Sequence, residues 1–177
     1  YETLGTFGVY ANRPGQGIPL DKNNRVLPLR TDLDKDQYEE AIKDRKSNLT
    51  IEKGTKVRIE ATGKWFSGTT GAWVTADGMH DDGHYSVKQF RAFMGANGEF
   101  NIATLVVFVS DKEKNATEDF ARIQEAGLVW GCTNKDKPIE FIMPATGILR
   151  MQQNRDGYYD VTQGGLNVTV SIAKPKR

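Results

Sequence analysis

The stretch with the most side chains able to bind a ligand is residues 77–84 (DGMHDDGH). Carboxylates and imidazoles bind metal ions, and they also hydrogen-bond to polar ligands. The two histidines are four residues apart, but two glycines disfavour the helix that would bring both imidazoles to one face. We therefore predict a loop, which either binds a metal or another polar ligand or is a solvated polar connection. Its candidate side chains are Asp77, His80, Asp81, Asp82 and His84.

A second polar loop, residues 154–164, lies between two apolar segments. It carries an asparagine, two aspartates and two tyrosines, with glycines between them. Long ordered loops between strands are common places for binding. The alternative is a loop in which the aspartates and glycines only shape the backbone turns.

Aromatic residues accompany both loops. Trp65, Phe66 and Trp73 flank a glycine-rich stretch before the first loop, and Tyr158 lies in the second. An aromatic ring can stack on the apolar face of a sugar while carboxylate, imidazole and amide groups meet the sugar hydroxyls. Trp65 ends an alternating apolar run and is expected in the core, whereas Trp73 and Tyr158 are expected to be exposed.

Catalytic motifs are missing from the sequence. It contains no G-x-S-x-G, no P-loop and no H-E-x-x-H. The single cysteine, Cys132, lies in an apolar stretch without a paired base, so we expect a buried small hydrophobe. The aspartates of residues 77–84 would form a glycosidase pair only if two lay about 5 to 9.5 Å apart across a sugar. We therefore expect no enzymatic activity.

Charge and hydropathy narrow the range of partners. The chain has 24 basic and 23 acidic side chains and a formal net charge of +1, so no strong field points at nucleic acid. No apolar run approaches the roughly eighteen residues of a membrane span, so no membrane insertion is expected. Because the sequence begins at Tyr1 rather than Met, we expect a processed or excised product, either a mature secreted chain or a domain cut from something larger. The expected location is secreted or at the cell surface. The sequence leaves open whether the chain forms a homo-oligomer.

Helical patterns are few and short. Residues 34–46 begin with acidic and end with basic side chains, which favours a surface helix. Residues 116–126 are a second candidate helix, with two apolar residues on one side.

Strand patterns dominate the rest of the chain. Residues 7–11 are a candidate edge strand, and residues 104–109 (TLVVFV) are typical of a strand buried on both faces. Apolar residues alternate with polar ones at 139–151 and again at 166–172, which predicts a hairpin with the second polar loop at its tip.

Turns rather than crossover helices connect these segments. The sequence therefore predicts an all-β fold, an antiparallel β-sandwich of the jelly-roll kind with one or two short helical insertions. Residues 49–177 form the sandwich, and residues 1–48 form an N-terminal extension of the same domain, with the edge strand and the first helix.

An ordered series of short matches over residues 49–172 resembles a known family. These matches are LTIEKGTKVRIEATGKW, a glycine-, aspartate- and histidine-bearing stretch after Trp73, TLVVFV, F-x-x-P-x-x-G-x-L-x-M-x-x-N and G-x-L-x-V-x-V-x-I. They look like the PA-IL type of bacterial galactose-binding lectin and the wider galactose-binding-like jelly rolls. Phe141, Pro144, Gly147 and Leu149 fall at the lectin spacing without a gap.

The resemblance implies a calcium ion in the second loop that binds sugar hydroxyls. Its ligands would be Asn154, Asp156, Asp160 and Thr162. The chain departs from the family at Arg155, where the family has an aspartate, and at Thr162 and Gln163, where it has two asparagines. The family also uses a histidine-containing loop to contact the sugar, which corresponds to residues 77–84. The candidate sugar-binding residues are Trp73, His80, Asp81, Asp82, His84 and Tyr158.

We therefore expect a noncatalytic, calcium-assisted module that binds galactose-type glycans through loops at one end of a β-sandwich. The alternative is a structural or interaction module of a surface, phage or toxin protein that has no sugar site.

Overall fold

A computed structural model describes residues 1–68, 71–81, 83, 88–89, 100–101, 103–110, 130–131, 138–154 and 163–173. Within these residues the chain is mostly strand, with one short helix, α1 (Lys35–Ile42). The strands are β1 (Glu2–Tyr10), β2 (Gln16–Gly17), β3 (Pro19–Leu20), β4 (Ser47–Asn48), β5 (Thr50–Ile51), β6 (Lys56–Ser67), β7 (Ala72–Val74), β8 (Lys88–Gln89), β9 (Phe100–Asn101), β10 (Leu105–Ser110), β11 (Trp130–Gly131), β12 (Ile139–Ile142), β13 (Gly147–Gln153) and β14 (Gln163–Ala173).

The strands form two antiparallel sheets that pack face to face. The first sheet has the order β1-β14-β6-β12, and β7 extends it by pairing with β6. The second sheet has the order β11-β10-β13, with β2 and β5 both pairing with β13. The pairs β3–β4 and β8–β9 are separate. The strands of four or more residues from β6 onward alternate between the sheets, since β6 lies in the first, β10 in the second, β12 in the first, β13 in the second and β14 in the first. This order is that of a jelly roll, so the predicted fold class is confirmed.

The predicted hairpin between residues 139–151 and 166–172 is wrong. β13 pairs with β10 in the second sheet, whereas β14 lies between β1 and β6 in the first sheet. The strands before and after the second polar loop therefore lie in different sheets. A period of two reveals which side of a strand is buried, but it does not reveal which strand lies beside it.

The core lies between the two sheets. The inward positions of β6 and β14 meet those of β10 and β13, and all of them are buried. These positions are Val57, Ile59, Ala61 and Trp65 of β6, Leu166, Val168 and Val170 of β14, Leu105, Val107 and Val109 of β10, and Leu149 and Met151 of β13. Every residue of β10 is buried, as predicted for TLVVFV, and Trp65 is in the core as expected.

Residues 1–48 contribute to both sheets. β1 pairs only with β14 among the described strands, so it is the predicted edge strand, and β2 joins the second sheet. The helix α1 begins at Asp34, whose carboxylate accepts from the Gln37 backbone while the Gln37 side chain accepts from the Asp34 backbone. Tyr38 of α1 packs edge-on against Tyr10, with ring centroids 4.7 Å apart. The helix expected over 34–46 is confirmed in its first part, since it ends at Ile42 before the basic residues that were expected in its last turn.

Some expected features lie outside the described residues, namely the second candidate helix at 116–126 and Cys132. Within the described part of the chain, no helix is long and apolar enough to cross a membrane.

The start of β1 and the end of β14 lie side by side in the first sheet. Glu2 of β1 is opposite Ile172 of β14. At the other end of β14, Gln163 and Gly164 are opposite Phe66 and Trp65 of β6. The sandwich thus has a terminal end, near Tyr1, and a far end, where β6 meets β7.

Candidate functional site

Three chain segments lie side by side at the far end of the first sheet. β7 pairs with the end of β6 through Trp65↔Val74 and Phe66↔Trp73. The chain then turns back at residues 75–79, where the backbone N–H groups of Gly78 and Thr75 donate to the carbonyls of Thr75 and Met79, both at 3.0 Å. The return segment reaches β7 at the bridge Val74↔His80.

This register decides which side chains share a face. Trp65 and Val74 are fully buried, and His80, opposite Val74, lies on the same side of the sheet and is half-buried. The residues next to this row point the other way because side chains alternate along a strand. Trp73 and Asp81, which flank the bridge, are both exposed. The structure therefore brings Trp73 and Asp81 to one outer surface and places His80 on the inner side.

Trp73 is exposed but held in place. Its side chain is 44% exposed, and its ring meets Phe66 edge-on, with centroids 5.7 Å apart and planes at 61°. Gly164 lies beneath it with φ +78°, and a Cβ at Gly164 would be 2.8 Å from Cζ3 of Trp73. The indole therefore rests directly on the backbone of β14, on the one residue type that leaves room for it.

An ion pair lies beside Trp73. The ammonium of Lys64 donates to Oδ1 of Asp81, and the two side chains are 51% and 67% exposed. Lys64 is on β6 and Asp81 is on the return segment, so the lysine side chain crosses the outer face of β7 to reach its partner. The sequence alone points to Asp81 but not to Lys64. The two side chains meet only because β7 lies between the segments that carry them.

Asp77 has a structural role. It is buried, its carboxylate accepts from the Thr75 hydroxyl, and the Met79 backbone N–H lies 3.4 Å from Oδ1. These contacts close the turn between β7 and the return segment. Of the three aspartates in residues 77–84, Asp77 is thus committed to the turn, and Asp81 lies on the surface with Trp73.

Buried polar residues support the site from the core side. The amide of Gln153, at the end of β13, donates to the carbonyl of Phe66 at 3.2 Å. The indole N–H of Trp65 donates to the carbonyl of Ala103 at 2.8 Å. Gln153 ties the second sheet to the strand that carries Phe66, and nothing in its local sequence distinguishes it from the neighbouring Gln152.

Asn154 is the one expected calcium ligand within the described residues. Its side chain is buried, its backbone N–H donates to Thr104 at 2.8 Å, and its carbonyl accepts from Ala103 at 2.7 Å. Asn154 is a single residue, whereas calcium takes roughly six to eight oxygens. Among the described residues there is no group of three or more His, Cys, Asp or Glu able to hold a metal ion. Asn154 alone does not supply enough oxygen atoms for a calcium site.

The other predicted site residues are not among those that the structure describes. The expected sugar-binding residues Asp82, His84 and Tyr158 lie outside the described residues, and so do the expected calcium ligands Asp156, Asp160 and Thr162.

The candidate site is therefore the outer surface formed by Lys64, Phe66, Trp73 and Asp81, which we call the Trp73 surface. It combines an exposed aromatic ring with a paired donor and acceptor. Comparison of the sequence with known protein families and with curated proteins gives no match.

Proposed function

We propose that this protein binds galactose-type glycans without catalysis, through the Trp73 surface. The observation that carries this proposal is an exposed indole fixed on both sides, by the Phe66 ring and by the Gly164 backbone. A large apolar ring that stays exposed yet ordered loses little conformational entropy when a ligand covers it.

The chemistry of a hexose matches this surface. The axial hydroxyl of galactose leaves one face of the ring covered by C–H groups, which can stack on an indole. The hydroxyls around the ring edge both donate and accept hydrogen bonds. The ammonium of Lys64 and the carboxylate of Asp81 supply these two complementary functions next to the ring.

The contacts of Asp77 and Asp81, the two described aspartates of residues 77–84, fit a binding function better than a catalytic one. A glycosidase needs one carboxyl group as acid and a second as nucleophile or base. Asp77 is buried in a turn and bonded to Thr75, and Asp81 is paired with Lys64. We therefore assign binding, and not hydrolysis, to this surface.

Glycan binding is tested by replacing the indole. The full chain is screened against immobilised galactosides, glucosides and mannosides, and methyl β-D-galactoside is then titrated by calorimetry. We expect binding by the wild type and at least a tenfold loss in Trp73→Ala. The matched control is Ile142→Ala, because Ile142 is also a large exposed apolar residue of the first sheet, 63% exposed, but lies at the terminal end.

Two outcomes would contradict the proposal. If the wild type binds no glycan in the screen, the structural or interaction module becomes the better assignment. If Trp73→Ala and Ile142→Ala bind equally well, the glycan site lies elsewhere on the molecule.

A further inference from the structure

A contribution to folding stability does not explain the position of the ion pair between Lys64 and Asp81. It spans the outer face of β7 between two segments that the backbone already holds together through β-pairing. Both side chains are about half or more exposed, and an exposed ion pair adds little net free energy to a fold. Its position next to Trp73 therefore calls for a different role.

Building on the proposed glycan function, we infer that Lys64 and Asp81 form the hydrogen-bonding half of the site. Together they take two adjacent hydroxyls of a neutral sugar stacked on Trp73, and this recognition needs no metal ion.

Donor and acceptor capacity supports this role. An ammonium has three donors, and the one directed at Oδ1 of Asp81 leaves two for a ligand. A carboxylate only accepts, and its second oxygen extends its capacity beyond the bond to Lys64. One sugar hydroxyl can accept from Lys64 while its neighbour donates to Asp81, without breaking the ion pair. Because the two charges of the pair cancel, the pair itself suits a neutral ligand.

The same pair makes a metal ion unnecessary at this surface. A cation in a sugar site holds hydroxyl oxygens and is itself held by carboxylates. Here the positive charge beside Asp81 is the ammonium of Lys64. A divalent cation at Asp81 would have to displace that ammonium or bind against its repulsion. Hydroxyl binding at the Trp73 surface therefore does not depend on the calcium ion expected at Asn154, Asp156, Asp160 and Thr162.

Calorimetric titration of the full chain with methyl β-D-galactoside, in EDTA and in calcium chloride, tests the inference. We expect wild-type affinities that agree within twofold in the two buffers. Lys64→Met and Asp81→Asn should each weaken binding about tenfold. Lys56→Met is the matched control, because Lys56 is on the same strand, is also 51% exposed and pairs with an acid, Glu140, at the terminal end. It should bind within twofold of the wild type.

The outcomes separate this inference from the proposed function. Wild-type binding that disappears in EDTA, or wild-type affinity in both Lys64→Met and Asp81→Asn, overturns the inference but leaves glycan binding standing. A wild type that does not bind the galactoside in either buffer overturns both. Thermal unfolding midpoints within a few degrees of the wild type show that each variant has kept its fold.

Discussion

Gly164 is the residue that sets the height of the Trp73 ring above the sheet. Its φ of +78° lies in the left-handed region, and its missing Cβ is where the indole rests. Gly63 on β6 has a similar φ of +97°, but a Cβ there would meet only the carbonyl of Gly165, at 3.6 Å. Both glycines therefore have a left-handed backbone conformation, but only Gly164 contacts the Trp73 side chain.

We expect Gly164→Ala to lower both stability and glycan binding. Left-handed strain should cost about 1–3 kcal/mol of unfolding free energy in this variant and in Gly63→Ala. Only Gly164→Ala pushes Trp73 out of place, so only this variant should lose most of its affinity for methyl β-D-galactoside. Urea unfolding and calorimetry measure the two effects. Equal affinity in the two variants would show that the ring does not need the backbone beneath it.

Arg150 is a charged residue fixed inside the protein. It is 1% exposed, and its guanidinium donates to the Ser110 hydroxyl at 3.1 Å and to the Gly15 carbonyl at 2.9 Å. It thereby joins β13, β10 and the loop before β2. Gln152 accepts from the Gly15 backbone N–H at 2.8 Å and strengthens the same connection.

We expect Arg150→Met to lower the unfolding free energy by roughly 2–4 kcal/mol, because it leaves buried acceptors without their charged donor. Lys56→Met, which removes an exposed ion pair, should cost less than about 1 kcal/mol. Chemical denaturation of the two variants measures the difference. Equal stabilities would mean that solvent or neighbouring groups replace the guanidinium at no cost.

Tyr10 links stability to alkaline pH. Burial and the neighbouring Tyr38 raise the pKa of Tyr10 to about 12, and burial also raises the pKa of Tyr38. The Tyr10 hydroxyl donates to the Arg30 carbonyl, which requires the protonated phenol. Since the unfolded state loses this proton near pH 10 and the folded state near pH 12, the contribution of Tyr10 is complete below pH 10.

Stability should therefore fall as pH rises from 10 to 12, and this fall should be smaller in Tyr10→Phe. Unfolding free energies measured by denaturant at pH 8, 10, 11 and 12 give the two profiles. Parallel profiles would show that the phenol titrates alike in the folded and unfolded states.

At the scale of elements, the sequence reveals strands better than it reveals their partners. The alternation in β6 and β14 and the apolar run in β10 follow directly from burial, which any local window records. The assignment of β13 and β14 to one hairpin failed because neighbouring elements in sequence can lie in opposite sheets. β13 is buried at all seven positions, because Leu149 and Met151 face the core while Arg150 and Gln152 on the other face bond to Gly15, and that surrounding is set by distant residues.

The candidate site, like the fold, could be predicted from the sequence only in part. An exposed Trp73 beside glycines was visible in the sequence, and so was the polar character of Asp81. The Lys64 contact was not, because it requires β7 to lie between two segments 17 positions apart. The inward position of His80 was hidden for a related reason, since the side it faces is fixed by its bridge to Val74.

At the scale of the whole molecule, the first and last strands close the fold. β1 pairs with β14 along almost its whole length and contributes Phe7 and Val9 to the core. Contacts between the two ends of a chain form only after most of the chain is ordered, and folds that depend on them fold slowly.

We expect deletion of residues 1–11 to abolish cooperative unfolding, because it uncovers the edge of β14 and removes the buried side chains of Phe7, Val9 and Ala11 from the core. Deletion of residues 1–3, whose side chains are exposed, should leave a cooperative transition within a few degrees of the wild type. Thermal melts followed by near-ultraviolet circular dichroism distinguish the two. A cooperative melt of the longer deletion would show that β14 is stable as an edge strand.

The pairing of Glu2 with Ile172 also determines how the protein can be displayed. On β14, Gly164 beneath Trp73 and Ile172 at this pairing are eight positions apart, which at about 3.3 Å per residue separates the two by roughly 26 Å. A tether joined next to either Glu2 or Ala173 would emerge on the side away from the indole. Copies fixed to one support through either end would therefore carry their Trp73 surfaces at the end away from the support, where several of them could reach sugars of one glycan-coated surface at once.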